Sequence, residues 1–356
     1  MSTRYGGGPV AATAGISLEE LQLAARNHGM PLEALRHELT PPGLHYLLVH
    51  YDIPVVDGAA WRLRVGGLEL SLDDLRARET VTRPVTMECA GNGRARLDPR
   101  PISQPWLTEA VGTAEWTGTP LRPLLEVAGI PDGTVEVVFT GLDRGVEGGV
   151  RQFYERSLPL ADALAGDVLL AYAMGGAPLL PQHGFPLRLV VPGWYGMTNV
   201  KWLARIACVS EPFTGYQNAT GYRMRRDEDD PGEPVTRIEP RSLMVPPGIP
   251  DFLTRRRFVE PGRVELTGRA WSGWGRIVRV EVGVDGDWAD AELGEPPGSA
   301  AWAPWRFTWD ARPGEYELSV RAHDATGRTQ PDEPPWNVGG YSNNAIQRVP
   351  VTTNAT

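Results

Sequence analysis

Prolines and glycines interrupt this chain so often that long helices are excluded. The sequence holds 33 prolines and 41 glycines among 356 residues. Proline breaks helix interiors and enters strands mainly at sheet edges, while glycine weakens both kinds of element. The regular segments must therefore be short and joined by many turns. We expect an α+β fold with little helix, in which short strands supply most of the framework.

The length of the chain predicts more than one domain, because 356 residues exceed what a single ordinary core accommodates. A polar segment at residues 225–234 and the proline-rich stretch that continues to about Gly262 are typical of a solvated connector. We therefore assign residues 1–38 to an N-terminal lead with a short helix, 39–235 to a first domain, and 236–356 to a linker and second domain.

Several local patterns in the first domain predict individual elements. Ser17 and Glu20 form a capping box that begins a short helix ending near His28. Further short helices are expected to begin at Ser71 and near Leu121. Strand patterns occupy residues 60–65, 134–140, 168–173 and 186–192. These strands and helices do not alternate with βαβ spacing, which favours a mixed α+β domain.

The second domain shows strict alternation of apolar and polar residues, the period of a half-buried strand. The segments 276–285 and 314–324 both have it. Several such strands in about 100 residues are typical of an immunoglobulin-like β-sandwich. In the first segment the alternation predicts one buried face opposite Arg279 and Glu281, made of Val278, Val280, Val282 and Val284.

Charge and cysteine content exclude several classes of function. A net charge of −9 without a basic run argues against a nucleic-acid partner. The N-terminal residues contain no apolar core typical of a signal peptide or membrane span, so we expect a cytoplasmic protein with no membrane association. Two cysteines, Cys89 and Cys208, provide neither a disulfide framework, a four-thiolate iron–sulfur cluster nor a CxxCH haem site.

The segment 86–94, TMECAGNGR, concentrates chemically active groups after a short apolar run. Cys89 lies beside Arg94 in a glycine-rich turn, surroundings that lower a thiol pKa and produce a thiolate ligand or nucleophile. The alternative is that Cys89 is a small buried hydrophobic residue, as most lone cysteines are.

A second segment, 182–202, reads QHGFPLRLVVPGWYGMTNVKW. His183 and Arg188 flank the start of an apolar strand, and a glycine-rich loop then leads to Lys201. Such a loop presents backbone N–H groups to an anion, and the two cations add charge. Taken alone, a histidine in this position is more often a hydrogen-bonded loop residue, and an arginine such as Arg188 is more often a surface or ion-pair residue.

Together, MECAGNGR and HGFPLRLVVPGWYGMTNVKWL resemble the sulfite oxidase family of molybdopterin-dependent oxidoreductases, whose usual forms read close to ECAGNRR and HGFPLRVVVPG…VKWL. The similarity runs from about residue 40 to 350 and includes the segments 141–143, 167–174, 336–337 and 342–345. It implies a haem-free, bacterial-type enzyme with no iron–sulfur cluster. Residues 39–235 would bind Mo-molybdopterin, and the sandwich would form a homodimer.

The resemblance also implies roles for individual residues. Cys89 would be the thiolate ligand of molybdenum, and Arg94, Trp106 and Tyr222 would complete the catalytic site. The residues implied to hold the cofactor are Tyr46, Leu47, Leu48, Val49, His50, Cys89, Asp143, His183, Arg188, Asn199, Val200 and Lys201. For residues 46–50, simple packing of the cavity wall remains an alternative.

Three family arginines are replaced in this chain. Leu48 stands for the arginine of F-x-R-N-H, Gly339 for that of W-N-L-R, and Gly93 for the first arginine of ECAGNRR. Hydrogen bonds to charged groups contribute about 1.5–3 kcal/mol each, so losing two weakens dianion binding by roughly 3–6 kcal/mol unless others compensate. The candidates for compensation are Arg96, Arg100 and Arg223.

Three functions follow as hypotheses. The first is two-electron oxygen-atom transfer that oxidises sulfite, or a related small sulfur oxyanion. The second keeps molybdenum but acts on a larger or less charged molecule, such as a sulfoxide or N-oxide, because Leu48 and Gly339 widen and neutralise the pocket. This reaction would run in the reductive direction. The third is a metal-free interaction protein. Either enzyme would exchange electrons with a separate partner such as a cytochrome.

Overall fold

The computed structural model describes residues 15–227 and 229–354, so the predicted lead at 1–14 lies outside the described residues. Among the helices described, none is long and apolar enough to cross a membrane. The α-helices are α1 (Leu18–Arg26), α2 (Leu72–Arg76), α3 (Leu121–Ala128) and α4 (Leu160–Ala163). Shorter 3-10 segments lie at Leu32–Arg36, Pro42–Leu44, Arg94–Arg96, Pro181–His183 and Gly196–Thr198, and a π turn at Gln217–Gly221.

Short strands supply most of the regular structure. In the first domain they are β1 (Leu63–Val65), β2 (Leu68–Leu70), β3 (Val81–Glu88), β4 (Val111–Pro120), β5 (Glu136–Glu147), β6 (Val150–Pro159), β7 (Leu169–Met174), β8 (Ala177–Pro178), β9 (Arg188–Val190), β10 (Leu203–Val209), β11 (Arg223–Met224) and β12 (Glu233–Pro234). In the second domain they are β13 (Arg241–Met244), β14 (Ile249–Pro250), β15 (Arg257–Val259), β16 (Gly262–Trp271), β17 (Ile277–Val284), β18 (Asp287–Asp290), β19 (Glu292–Leu293), β20 (Ala303–Ala311), β21 (Gly314–Asp324) and β22 (Gln347–Thr353).

Helix α1 begins as the capping box predicts. Ser17 Oγ accepts a hydrogen bond from the Glu20 amide, and the Glu20 carboxylate accepts one from the Ser17 amide. Glu20 is fully buried and forms an ion pair with Arg100, which joins the helix to the first domain. The helix ends at Arg26, two residues before the predicted position. Helices α2, capped by Ser71, and α3, which begins at Leu121, confirm the other two predictions.

The first domain contains two main sheets. One has the order β2-β1-β10-β5-β6, and the other the order β3-β4-β7-β8, with β9 beside β7. A shared core of residues from both sheets and from α3 lies between them, including Leu63, Leu124, Phe139, Leu170 and Leu189, all fully buried. All four predicted strands are present. Strand β5 continues to Glu147, seven residues beyond the predicted end, and this extension contributes to the site below.

The second domain is the predicted β-sandwich. One sheet has the order β13-β16-β20-β19, and the other the order β14-β15-β22-β21-β17-β18. The two sheets enclose a separate apolar core that includes Leu266, Val280, Val282, Leu318 and Val351. Burying this apolar surface is the main source of stability for such a layered domain. The predicted α+β domain followed by an immunoglobulin-like sandwich is confirmed.

The alternation predicted for β17 is wrong at two positions. The register of β17 against β21 shifts between Ile277 and Arg279, so Val278 is exposed while Val280 and Val282 stay in the core. A bulge of this kind inserts one residue and reverses the faces before it. Glu281 is buried rather than exposed, and its Oε2 accepts hydrogen bonds from Arg321 Nε at 3.0 Å and from His323 Nε2 at 2.6 Å.

A buried ion pair joins the two domains at the residue before Cys89 in the cysteine motif. Glu88, the last residue of β3, lies with Oε1 2.7 Å from Nε of Arg241, the first residue of β13. Both side chains are at most 2% exposed. Trp271 Nε1 donates to Glu88 Oε2 at 2.7 Å, and Asn92 Nδ2 donates to Oε1 at 3.0 Å. The carboxylate is therefore satisfied from both domains, and it fixes the position of the residue that follows it.

We expect Arg241→Met to lower the free energy of unfolding by about 3–5 kcal/mol, because it leaves the Glu88 carboxylate buried without its cation. Equilibrium urea unfolding measures the change. The matched control is Arg64→Met, which removes an exposed ion pair with Glu69, with side chains 73% and 56% exposed. That change should cost less than about 1 kcal/mol. Equal effects in the two variants would contradict the role given to Arg241.

Candidate active site

Cys89 lies immediately after β3, where the chain leaves the sheet. Its amide donates to the Ala110 carbonyl at 2.9 Å, and its own carbonyl accepts from the Asn92 amide at 3.0 Å. The tight turn that follows needs Gly93, which has a φ of +90° and whose added Cβ would lie 2.9 Å from the Asn343 carbonyl oxygen. This turn directs Arg94 back towards the cysteine and leaves no room for the family arginine at position 93.

Two adjoining cavities meet at Cys89. The inner cavity is the one that Arg188 lines, and the outer cavity is the one that Arg94 lines. Both are lined by Leu48, His50, Cys89 and Tyr222. The sulfur-bearing residue therefore belongs to both compartments. A group bound in the inner cavity and a small molecule entering the outer cavity would both reach it.

The inner cavity contains buried polar atoms that have no hydrogen-bond partner among the described residues. They are His45 Nε2, Asp143 Oδ1 and Arg188 Nε, and all three residues line the cavity. Buried polar groups in proteins are nearly always paired, so unpaired ones call for a ligand that supplies donors and acceptors. A pterin with its polar ring edge and phosphate fits this set, and the softness of the Cys89 thiolate suits molybdenum.

Arg188 supplies a fixed positive charge to the inner cavity. Its Nη1 donates to the His183 carbonyl at 3.2 Å and its Nη2 to the Asn199 carbonyl at 3.3 Å. The guanidinium also lies over the Trp116 ring, 4.6 Å from its centroid. Desolvation lowers the pKa of Arg188 to about 10, so the group remains charged at neutral pH. These contacts orient it for an anion such as a phosphate.

Lys201 and Asp143 respond to burial in opposite senses. Lys201 Nζ donates to the Leu48 carbonyl at 2.7 Å and to the Gln182 carbonyl at 3.2 Å. Desolvation, together with the positive charge of Arg188, lowers the pKa of Lys201 to about 7. Desolvation raises the pKa of Asp143 to about 6 against the opposing charge of Lys201. Binding an anion beside Lys201 would stabilise its protonated form.

Two buried histidines, His45 and His183, lie with ring centroids 6.1 Å apart. Desolvation lowers the pKa of His45 to about 4 and that of His183 to about 3. Both rings are therefore neutral at physiological pH. Each can offer one hydrogen-bond donor and one acceptor without adding charge to the cavity.

Most of the predicted cofactor residues line the inner cavity, namely Tyr46, Leu47, Leu48, His50, Cys89, Asp143, His183, Arg188, Asn199 and Lys201. Val49 and Val200 do not. The Val49 amide donates to Asn27 Oδ1 at 2.7 Å, and the Val200 amide donates to the Thr198 carbonyl at 2.9 Å. The Asn199 amide side chain bonds to its own loop, accepting from the Val191 amide at 2.7 Å. Asn199 therefore shapes the loop that Lys201 follows.

The outer cavity brings the predicted catalytic residues together. Arg94, Trp106 and Tyr222 all line it beside Cys89. Arg94 Nε donates to the Gly339 carbonyl at 2.9 Å and Nη1 to the Gln104 carbonyl at 3.0 Å. The guanidinium lies 5.3 Å from the centroid of the Tyr341 ring, and this ring lies 5.2 Å from that of Tyr222. Two bonds to the backbone and an aromatic neighbour thus hold Arg94 in place.

The replaced arginines have different structural consequences. Leu48 lines both cavities with an apolar side chain. A Cβ added to Gly339 would lie 2.2 Å from the Tyr341 ring, so this tyrosine fills the space that a side chain at 339 would need. The expected widening at Gly339 is therefore wrong. The outer cavity therefore has less positive charge than a site with the family arginines, and the ring of Tyr341 forms its wall next to Gly339.

The three candidate compensating arginines line neither cavity. Arg100 forms the ion pair with Glu20, and Arg223 Nη2 donates to the Gly232 carbonyl at 2.6 Å. Arg96 is exposed on the 3-10 segment after Gly93. Arg94 is accordingly the arginine that the outer cavity contains among the described residues.

The predicted lowering of the Cys89 thiol pKa is wrong for the protein without bound metal. Burial raises the pKa of the thiol, and the charge of Arg94 opposes this effect only in part. The residue is 9% exposed, so the desolvation penalty on a thiolate exceeds the attraction of one arginine. A coordinated metal ion would deprotonate the thiol outright.

Several residues of the two cavities were not predicted from the sequence. They are His45, Tyr154 and Met197 in the inner cavity, and Tyr51, Glu147 and Tyr341 in the outer cavity. Tyr341 lies four residues after Asn337 of the W-N segment, and Glu147 lies four residues after Asp143 on the same strand. Proximity to those motifs was the available signal. Nothing in the local sequence indicates that these side chains converge.

The neutral histidines predict a pH dependence for the cofactor-free protein. An unfolded chain protonates His45 and His183 near pH 6.5, whereas the folded chain does so only near pH 4 and pH 3. The free energy of unfolding should therefore fall as the pH decreases from about 6.5 towards 4, by up to about 1.4 kcal/mol per pH unit and group. Replacing His45 with glutamine should reduce this slope by about one proton in urea titrations. Equal slopes in the wild type and in His45→Gln would contradict the prediction.

Comparison with known proteins places these features in context. The chain is 38% identical over 347 residues to sulfite oxidase of Gallus gallus, which covers 89% of this chain and 74% of that protein. It is 36% identical to mitochondrial sulfite oxidase of Mus musculus, of which it spans 61%. It is 31% identical to nitrate reductase [NADH] 1 of Oryza sativa subsp. japonica, of which it spans 39%.

The fold and both domains have matches. The sulfane dehydrogenase SoxCD from Paracoccus pantotrophus has a similar fold, with a TM-score of 0.78 at 24% identity, covering 99% of this chain and 96% of that one. Residues 50–217 match the family described as oxidoreductase molybdopterin binding domain, and residues 236–354 match the Mo-co oxidoreductase dimerisation domain. Since these matches cover most of the chain in the order of its two domains, the protein belongs to the sulfite oxidase family of molybdopterin-dependent oxidoreductases.

Proposed function

We propose that this protein oxidises sulfite to sulfate with a molybdopterin cofactor. The observation that carries the proposal is the position of Cys89 where two cavities meet. One cavity has unpaired polar atoms suited to a pterin, and the other holds Arg94, Trp106 and Tyr222. The identity to sulfite oxidases supports the choice of substrate, as do the matched domains.

The inner cavity would hold the cofactor. Arg188 and Lys201 would bind its phosphate, while Asp143, His45 and His183 would pair with polar atoms of the pterin. Cys89 would supply the protein thiolate to the metal. When bound, the molybdenum cofactor supplies two-electron oxygen-atom transfer, a reaction that side chains alone do not perform.

Residues of the outer cavity would bind and orient the anion. Arg94 offers a charge-assisted hydrogen bond from a guanidinium that its backbone contacts have already oriented. Burial raises the pKa of Tyr222 well above 10, so its phenol keeps its proton and can donate to an oxygen atom. Trp106, which is 5% exposed, closes one wall and limits the access of water. For a substrate bound close to Cys89, correct orientation would raise the reaction rate more than tighter binding would.

A second candidate substrate is a sulfoxide or N-oxide, reduced by the same metal. The observation in its favour is the weak positive charge of the outer cavity, where Leu48 and the ring of Tyr341 take the place of two arginines and Glu147 adds a carboxylate. A neutral molecule would not lose binding energy from these replacements, whereas a dianion would.

Electron transfer and assembly complete the proposal. We propose a homodimer formed through residues 236–354, and a separate electron acceptor, such as a cytochrome, that docks on a haem-free protein. The dimerisation-domain match supports the first part. The net charge of −9 supports the second, because an acidic surface steers a basic partner. A cytoplasmic location remains part of the proposal.

Replacing Cys89 with serine should abolish sulfite-dependent reduction of ferricyanide, to below roughly 1% of the wild-type rate, because a serine hydroxyl is a hard and weakly acidic ligand. Steady-state assays with metal and pterin analysis of each preparation measure this. The matched control is Cys208→Ser, on β10 and outside both cavities. It should retain most of the activity. An active Cys89→Ser enzyme would rule out the assigned ligand.

Replacing Arg94 with glutamine should raise the KM for sulfite by roughly 10- to 150-fold, the equivalent of one charge-assisted hydrogen bond of about 1.5–3 kcal/mol. Arg223→Gln, which lines neither cavity, serves as the control and should leave KM unchanged. The second proposal replaces the first under one outcome. In that outcome, molybdenum-loaded wild-type enzyme does not oxidise sulfite, and its reduced form is reoxidised by dimethyl sulfoxide or trimethylamine N-oxide.

A further inference from the structure

A carboxylate at the end of β5 gathers three hydrogen-bond donors beside the catalytic tyrosine. Glu147 Oε2 lies 2.9 Å from His50 Nε2, 3.0 Å from Tyr51 Oη and 2.7 Å from Gln217 Nε2. The opposite ring nitrogen, His50 Nδ1, lies 3.5 Å from Tyr222 Oη. The imidazole of His50 thus connects Glu147 to Tyr222.

We propose that Glu147 is a positioning residue that fixes His50 in the tautomer with a proton on Nε2, so that the bare Nδ1 faces the Tyr222 hydroxyl. The kinetic part of this proposal rests on the proposed function. The structural part concerns only the imidazole and its two neighbours. Neither the cysteine motif nor the histidine–arginine motif contains Glu147.

The tautomer follows from the donors and acceptors on each side of the ring. An ionised carboxylate only accepts hydrogen bonds, so His50 Nε2 must carry a hydrogen to bond with it. Burial raises the pKa of Glu147, but the hydrogen bonds that its carboxylate accepts from His50, Gln217 and Tyr51 oppose burial, and the net effect is a lowered pKa. Glu147 is therefore ionised at neutral pH. A neutral imidazole with hydrogen on Nε2 has Nδ1 free to accept from Tyr222, which keeps its proton.

The distance of 3.5 Å between His50 Nδ1 and Tyr222 Oη is long for a hydrogen bond. Catalytic hydrogen bonds are often long without substrate and shorten when it binds. The carboxylate end of the network is already formed, with all three donors at 3.0 Å or less. Glu147 therefore sets the ring orientation before any ligand enters.

The other titratable groups around His50 do not supply an alternative. The rings of Tyr51 and Tyr154 pack edge-on against the His50 ring, with centroid distances of 4.5 and 5.1 Å. Burial raises the pKa of both phenols. Arg156 lies over the Tyr222 ring at 5.5 Å and donates to the Gln217 carbonyl. Asp143 is the other carboxyl group near His50, and Lys201 lies beside it as its opposite charge. Among the described residues, Glu147 is the charged group within hydrogen-bond distance of the imidazole.

The network also joins three separate parts of the chain. His50 and Tyr51 belong to the early loop, Glu147 to the end of β5, and Gln217 to the π turn that leads into Tyr222. Gln217 is 1% exposed, so its amide is held by burial as well as by hydrogen bonds. Glu147 thus relates the position of Tyr222 to the loop that lines both cavities. The arrangement corresponds in principle to an acid that orients a histidine for a hydroxyl partner.

The first test reads the tautomer directly. The full-length protein is labelled with ¹⁵N-histidine, and the His50 signals are assigned from their loss in His50→Gln. We expect protonated Nε2 and unprotonated Nδ1 in the wild type, and a shift towards the other tautomer or a mixture in Glu147→Gln. Glu155→Gln is the matched control, since Glu155 accepts from Thr140 on the same pair of strands. A His50 signature that Glu147→Gln leaves unchanged would overturn the proposal.

The second test separates positioning from general structural damage. In molybdenum-loaded enzyme, Glu147→Gln should lower kcat for sulfite roughly ten- to hundredfold, while KM and metal content stay within about threefold. Glu155→Gln should leave all three unchanged. Unchanged kcat in Glu147→Gln, or a loss confined to metal content, would refute the role. If the wild type does not oxidise sulfite, the proposed function fails, and the ¹⁵N spectra still decide whether Glu147 fixes the ring.

Discussion

The buried ion pair between Glu88 and Arg241 is the contact on which the site depends, because it joins the end of β3 to the first strand of the second domain. The next residue in the chain is Cys89. Two charges placed in a protein interior are costly unless both are paired and hydrogen-bonded, and Glu88 also accepts from Trp271 and Asn92. The arrangement of the domains and the position of the thiol are therefore set by the same carboxylate.

The two cavities divide the chemistry between them. Among the residues that the structure describes, the inner cavity contains buried polar atoms without partners and two basic side chains, which suits a polar, anionic cofactor. Within the same described part of the chain, the outer cavity presents one arginine, one carboxylate and several aromatic rings. Its electrostatic attraction for a dianion is correspondingly modest. Under the proposed function, Arg94 and Tyr222 would act mainly by orienting a weakly bound anion next to Cys89.

Much of the fold was predictable because its signals are local. The Ser17 capping box, the short strands and the alternation in the sandwich each depend on neighbours a few residues apart. The bulge that exposes Val278 was not predictable, since a shift in register depends on the partner strand. The pKa of the Cys89 thiol was misjudged for a similar reason: the sequence reveals the adjacent Arg94 but not the depth of burial.

The sequence by itself determined the family, the domain order and the residues of the two motifs, because the residues of each motif are contiguous in the chain. Only the tertiary structure decided what fills the places of the missing arginines. Tyr341 occupies the space beside Gly339, and Glu147 reaches His50 across 97 positions of the chain. Contacts between distant segments depend on sheet register and on the packing of the two domains, and no local pattern encodes either of them.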